Sequence, residues 1–183
     1  DERPLNIQLV GSKKEKMQDT AEIISKYADI IDVNLGCPES SILANKAGSY
    51  LIKHPDQIER VVSPVVESSK VPVTAKIRIG WDDKSKNYLK TSKILQDIGC
   101  QAIAVHGRTK SQGYSGKADW DSIKKIKEKI DIPVIGNGDI FKPGTCKAMF
   151  DYTNCDMAMI GRGSIGNPFI FQEALYLLKH GKN

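Results

Sequence analysis

Short apolar runs rich in β-branched residues recur along the chain, separated by longer stretches whose apolar residues repeat at helical spacing. The runs predict strands at 5–10, 30–34, 73–77, 102–106, 134–136 and 157–161. The intervening periodicity predicts helices at 14–27, 57–69, 86–98, 120–129, 142–150 and 168–179. Pro64 falls inside the second of these, where a kink or a break is expected. Near-continuous apolar strands alternating with helices mean parallel pairing with both faces of the sheet covered.

Two architectures suit six such units, an open doubly wound sheet or part of an eight-stranded barrel. The strand ends separate them. Nearly every strand finishes in polar, glycine-bearing residues: "QLVG", "NLGCP", "AKIRIGWDD", "VHGRTKSQ", "IGNGDI" and "MIGRGSIG". An α/β barrel gathers its C-terminal strand ends into one ring, whereas an open sheet concentrates such residues at its switch point. The expected fold is therefore an α/β TIM (β/α)8 barrel, represented by about its last six β/α units. One domain over 1–183 is expected, with two N-terminal β/α units absent from this chain.

Composition changes the picture little. The 183 residues are 40% hydrophobic and 27% charged, ordinary values for a globular domain. No apolar run approaches the roughly 18 residues that span a bilayer, so no membrane role is expected. A net charge of +5 is compatible with a polyanionic partner without demanding one. The cysteines Cys37, Cys100, Cys146 and Cys155 are scattered and form no CxxC pair. That spacing argues against zinc and against a disulfide framework, and suits a reducing cytoplasm.

The candidate chemistry sits on the strand ends. "IGNGDI" and "IGRGSIG" close the last two strands, where barrels commonly bind phosphate. Gly138, Gly161 and Gly163 allow close backbone approach to an anion, and Arg162 can pair with it; two tight turns without a ligand are the alternative. Gln8, Lys76 and His106 end three strands as inward polar groups. A lysine among apolar residues needs an anion, either a ligand or an acidic neighbour such as Asp32. Arg78, Arg108, Lys110, Gln112 and Tyr114 add cations, hydrogen bonds and a stacking surface, a mixture that suits nucleic acid with an unpaired base; a plain solvated loop is the alternative.

The segments "DVNLGCP", "KIRIGWDD", "HGRTKSQGYSGKADW", "IGNGDI" and "MIGRGSIGNPFIF" resemble the signature segments of the tRNA-dihydrouridine synthase family, in family order along essentially the whole chain. The resemblance implies a flavoenzyme that reduces uridine to 5,6-dihydrouridine in tRNA, an NAD(P)H-dependent oxidoreductase acting on a CH–CH bond. By the same resemblance Cys37 donates the proton to C5 while hydride passes from N5 of FMN to C6. Gln8, Lys76 and His106 would contact the isoalloxazine ring, and Asn137, Gly138, Asp139, Gly161 and Arg162 would hold the ribityl phosphate. Asn34 would hydrogen-bond the uracil edge, and Lys46, Arg78, Arg108 and Lys110 would hold neighbouring tRNA phosphates. NADPH or NADH would be the reductant, tRNA the partner, and no metal is implied. A helical tRNA-binding domain follows the barrel in this family and is not expected within this chain. Ser49 and Tyr50 depart from the small residues that many relatives carry after the glycine of "NKAGSYLIKHP".

Two rivals stand beside this reading. One is a flavin barrel acting on a small molecule, in the manner of dihydroorotate dehydrogenase or an enoate reductase. The other is a non-catalytic RNA-binding barrel. A phosphate-sugar isomerase or lyase is weaker, and bound flavin would exclude it.

Overall fold

A computed structural model describes residues 3–181; residues 1, 2, 182 and 183 of the expected domain lie outside the described residues. Six strands form one parallel sheet: β1 (Asn6–Leu9), β2 (Ile30–Asn34), β3 (Val73–Arg78), β4 (Ala102–His106), β5 (Val134–Asn137) and β6 (Met157–Met159). They lie side by side in chain order, with β1 and β6 at the two edges. The major helices are α1 (Lys14–Ile24), α4 (Ile58–Ser68), α5 (Tyr88–Ile98), α6 (Trp120–Lys127), α7 (Pro143–Thr153) and α8 (Ile170–His180). Each packs against the next along the sheet, so the helices form a single layer. Sequential parallel order with one helical layer is the arrangement of an α/β barrel rather than a doubly wound sheet. The architecture is a six-strand portion of the TIM-barrel type.

The core lies between strands and helices. Ile31, Val33, Ala75, Ile77, Ile103, Val105 and Val134 from the strands are buried against Val61, Val62, Val65, Leu95, Ile123, Ile126 and Met149 from the helices. These strand residues alternate with Asp32, Asn34, Thr74, Lys76 and Ala104, so one face of the sheet packs on the helices and the other carries the polar groups of the barrel interior.

Of the kink or break expected at Pro64, the break does not occur. Helix α4 runs unbroken from Ile58 to Ser68 with Pro64 inside it. Proline removes one backbone donor at a cost of about 3 kcal/mol. Against that, Ile58, Val61, Val62 and Val65 are fully buried on the same helix, each contributing roughly 1.5–3 kcal/mol. Burial wins.

Two short helices, α2 (Ser40–Ala44) and α3 (Ser49–Lys53), occupy a stretch that periodicity leaves as loop. Leu51 and Ile52 of α3 are fully buried, which folds this polar segment back onto the strand ends.

Candidate active site

The C-terminal strand ends open into one cleft, a cavity of about 380 Å³. Gln8, Asn34, Cys37, Lys76, Arg78, His106, Asn137, Gly138, Asp139, Gly161 and Arg162 all line it, so most residues named from sequence converge on one place. Tyr114, Phe141 and Met159 add apolar wall.

Cys37 owes its position to a capped turn. Asn34 Oδ1 accepts from the N–H groups of Gly36 at 3.0 Å and Cys37 at 2.9 Å, turning the chain sharply off β2. The Cys37 carbonyl is held from the other side by Ser49, whose N–H donates at 3.0 Å and whose Oγ donates at 2.8 Å. Gly48 makes that approach possible. Its φ is +61°, and a Cβ there would stand 2.8 Å from both the Cys37 carbonyl oxygen and Ile42 Cγ2. Cys100, Cys146 and Cys155 are buried, while Cys37 is half-buried at the cleft wall. Burial pushes the Cys100 thiol up to about 12, which makes it inert.

Lys76 reaches across the sheet and donates from Nζ to Asn137 Oδ1 at 3.0 Å. The alternative of an ion pair with Asp32 is not what forms. Asp32 accepts instead from Thr74 Oγ1 at 2.6 Å and Gln8 Nε2 at 2.7 Å. Among the described residues no carboxylate lies within ion-pair distance of Lys76. Burial, aided by the nearby Arg78 charge, lowers its pKa to about 8.

His106 is buried, and its pKa is pushed down to about 3, first by burial and then by Lys76, Arg78, Arg108 and Arg162. It is a neutral imidazole at physiological pH. Its Nε2 faces Arg108 Nη1 at 3.4 Å, and a guanidinium only donates, so the ring proton belongs on Nδ1.

The glycine turns have definite reasons. Gly138 adopts φ +129° with room for no Cβ, which would stand 2.6 Å from Ala118 Cβ. At Gly163 a Cβ would come within 2.2 Å of the Ile140 carbonyl oxygen. Gly161 faces open space. Arg162 lies over the Tyr114 ring at 4.5 Å and the Phe141 ring at 5.4 Å, with Asp139 at 3.6 Å.

Arg78 and Arg108, expected as phosphate contacts, are both buried and hold protein groups, and of the two only Arg78 lines the cleft. Arg78 is 4% exposed and donates to the carbonyls of Gly36 at 2.9 Å, Thr109 at 3.0 Å and Gly113 at 2.9 Å. Arg108 is 2% exposed and donates to both oxygens of Asp139, at 2.7 and 2.9 Å, and to the carbonyls of Ser115 and Gly116. The loop after β4 curls over these guanidiniums, whose donors satisfy its inward carbonyls. They are struts of the rim. Asp139, expected at the phosphate, likewise serves these arginines. Burial would raise its carboxyl, but the Ala118 N–H and Arg108 hold it below the ordinary range.

Lys46 and Lys110 do not line the cleft. Lys46 is exposed in the turn after α2, with φ +55°. Lys110 sits over the Trp81 ring at 4.6 Å, and Lys53 lies over the same ring at 4.9 Å. Sequence reasoning named neither Lys53 nor the apolar walls Phe141 and Met159. Their signal, apolar or basic residues beside strand ends, is too common to single them out. Among the described residues no helix is long and apolar enough to cross a membrane, and no His, Cys, Asp and Glu cluster could hold a metal ion.

Comparison with known proteins bears on the fold and the family. Solved structures of N-acetylneuraminate lyase from Mycoplasma synoviae and D-glucarate dehydratase from Agrobacterium tumefaciens superpose with TM-scores of 0.66 and 0.69. They cover 94% and 96% of this chain, and 57% and 44% of their own, at 14% identity, a likeness of fold alone. The chain is 45% identical over 177 residues to tRNA-dihydrouridine synthase B of Vibrio vulnificus, spanning 96% of this chain and 55% of that protein. Against the protein of the same name from Escherichia coli the figures are 41% over 177 residues, 96% and 55%. The chain thus spans about half the length of the curated relatives it matches. A model of the dihydrouridine synthase (Dus) family matches residues 1–183, and the chain belongs to that family.

Proposed function

We propose that the protein containing this chain reduces uridine to 5,6-dihydrouridine in tRNA, with FMN in the cleft and NADPH or NADH as reductant. The carrying observation is a half-buried thiol, Cys37, in the same cleft as Lys76, a cation with no carboxylate partner among the described residues. The cleft fits FMN on that ground, because a buried lysine calls for an anion and a reduced flavin carries one. Arg162 and the open backbone at Gly161 suit the phosphate. The chemistry that FMN supplies when bound is transfer of hydride from nicotinamide to C6 of the uracil.

This chain's own residues do the rest. Cys37, half-buried on the cleft wall, is the general acid that delivers the proton C5 must receive. Lys76 presents a cation to the ring system, and His106 a neutral imidazole whose free hydrogen-bonding group is the Nδ1–H donor. Tyr114 and Phe141 supply apolar wall that excludes water. The uracil has to leave its stack to enter, a cost of a few kcal/mol or so. Lys46 and Lys110 remain the candidates for tRNA phosphates, and the cytoplasm is where tRNA and nicotinamide meet.

The test begins with the visible spectrum of the purified protein. A flavin spectrum that bleaches with NADPH and recovers on adding unmodified tRNA is expected. In Cys37→Ala the recovery with tRNA is lost while flavin is retained. A flavin that bleaches yet ignores tRNA would move the assignment to a barrel acting on a small molecule. Absence of flavin after FMN is added would leave a barrel that only binds.

A further inference from the structure

The polar groups behind the Cys37 turn form a chain whose direction is fixed from both ends. The Gly36 and Cys37 N–H groups can only donate, so the Asn34 atom they meet is the oxygen. That turns Asn34 Nδ2 toward Gln8, which answers with Oε1 at 2.8 Å. Gln8 Nε2 then faces Asp32 Oδ2 at 2.7 Å, where only an acceptor fits. Asp32 accepts a second time, from Thr74 Oγ1 at 2.6 Å. A carboxylate is the side chain that accepts twice without donating. Asp32 is 5% exposed and does not line the cleft.

We infer that Asp32 is a positioning residue which, through Gln8, holds Asn34 with its oxygen toward the Cys37 turn and its N–H toward the ligand, so that the site takes a ring carbonyl oxygen rather than an amino group. Both acceptor positions of Asn34 are occupied by backbone N–H groups, and one of its two amide hydrogens is bound by Gln8. What it can offer a ligand is a donor. Resting on the dihydrouridine reading, in which Cys37 serves C5, the ring position beside Asn34 is C4; there uracil carries a carbonyl and cytosine an amino group, whereas the C2 carbonyl is common to both and discriminates nothing. A donor facing a donor in a cleft leaves both without a partner, and discrimination of that kind is large. It also couples substrate choice to the turn that carries the thiol, because the same amide serves both.

Two variants of the holoenzyme test this. Asp32→Ala removes the terminal acceptor; Gln8→Met cuts the chain at an exposed position where folding is not at risk. Amide hydrogen exchange at Gly36 and Cys37 is expected to rise by about tenfold in both, with Ile77 and Val105 unchanged, as for loss of one supporting hydrogen bond. In the same variants the preference for a uridine-containing oligoribonucleotide over its cytidine counterpart, read by competition binding, should fall by about tenfold. Asp32→Asn, which can still turn an oxygen to Gln8, should stay within about threefold of wild type. Unchanged exchange at Gly36 and Cys37 in Gln8→Met overturns the proposal, as does exchange that rises equally at Ile77 and Val105. If tRNA fails to reoxidise the wild-type flavin, the dihydrouridine reading falls, while the exchange data still decide the role of Asp32.

Discussion

Arg78 and Gly36 are joined by a 2.9 Å hydrogen bond from Nε to the carbonyl, one residue before Cys37. Through Nη1 the same guanidinium holds Thr109 and Gly113 in the loop after β4. The loop bearing the thiol and the loop bearing Tyr114 are therefore fastened to one side chain, and the shape of the cleft mouth depends on it.

Replacing Arg78 should loosen both loops at once. Arg78→Met leaves three carbonyls without their donor, and a lost hydrogen bond to a charged group is worth about 1.5–3 kcal/mol. A fall in Tm of roughly 5–10 °C is expected. Arg78→Lys should recover little of it, since an ammonium cannot reproduce the fork. Differential scanning calorimetry of both variants checks this.

Lys76 should impose a rising stability on the alkaline side. Its pKa is about 8 in the folded protein against 10.5 for the free side chain, so the unfolded chain binds more protons between those values. Stability therefore increases as pH rises from about 8 to about 10.5, by up to roughly 3 kcal/mol. Lys76→Met should abolish that slope in urea unfolding. An anion bound in the cleft should raise the midpoint, which the Lys76 side-chain ¹⁵N shift would follow.

His106 should be silent where histidines usually titrate. With a folded pKa of about 3, its ring stays neutral from pH 8 down to pH 5. The unfolded chain takes up the proton near pH 6.5, so this residue lowers stability as pH falls from about 6.5 toward 3. Its ring carbon shifts should be flat between pH 5 and 8, and its ¹⁵N shifts should report the Nδ1–H tautomer. A ring midpoint near 6.5 would contradict the assignment.

Two glycines should answer differently to the same substitution. Gly48→Ala meets the Cys37 carbonyl at 2.8 Å from a positive φ and should cost roughly 1–3 kcal/mol of stability. Gly161→Ala meets nothing, and its unfolding free energy in urea should move by less than about 0.5 kcal/mol. If Gly161 faces the phosphate, FMN affinity alone should drop, which equilibrium titration of flavin fluorescence measures.

Strand order and the convergence of Cys37, Lys76, His106 and Arg162 were legible in the chain, because buried parallel strands write continuous apolar runs and their polar ends stand out against them. The short helices α2 and α3 were not, since five residues carry too little periodicity and Leu51 and Ile52 are held by tertiary burial. The structural part of Arg78 and Arg108 was not legible either, for a related reason. Arginine is mostly exposed, and nothing local announces that residues 107–118 curl back and bring their carbonyls inward. Asp32 read only as a possible partner for Lys76, when its register beside Gln8 gave it to a different neighbour.

Asp139 stands between two guanidiniums from two loops, Arg108 at 2.7 Å and Arg162 at 3.6 Å. A single carboxylate shared in this way makes the three positions epistatic. Once Asp139 is lost, replacing either arginine adds less harm than it does alone, so sequence drift at this corner of the cleft is constrained to move in concert.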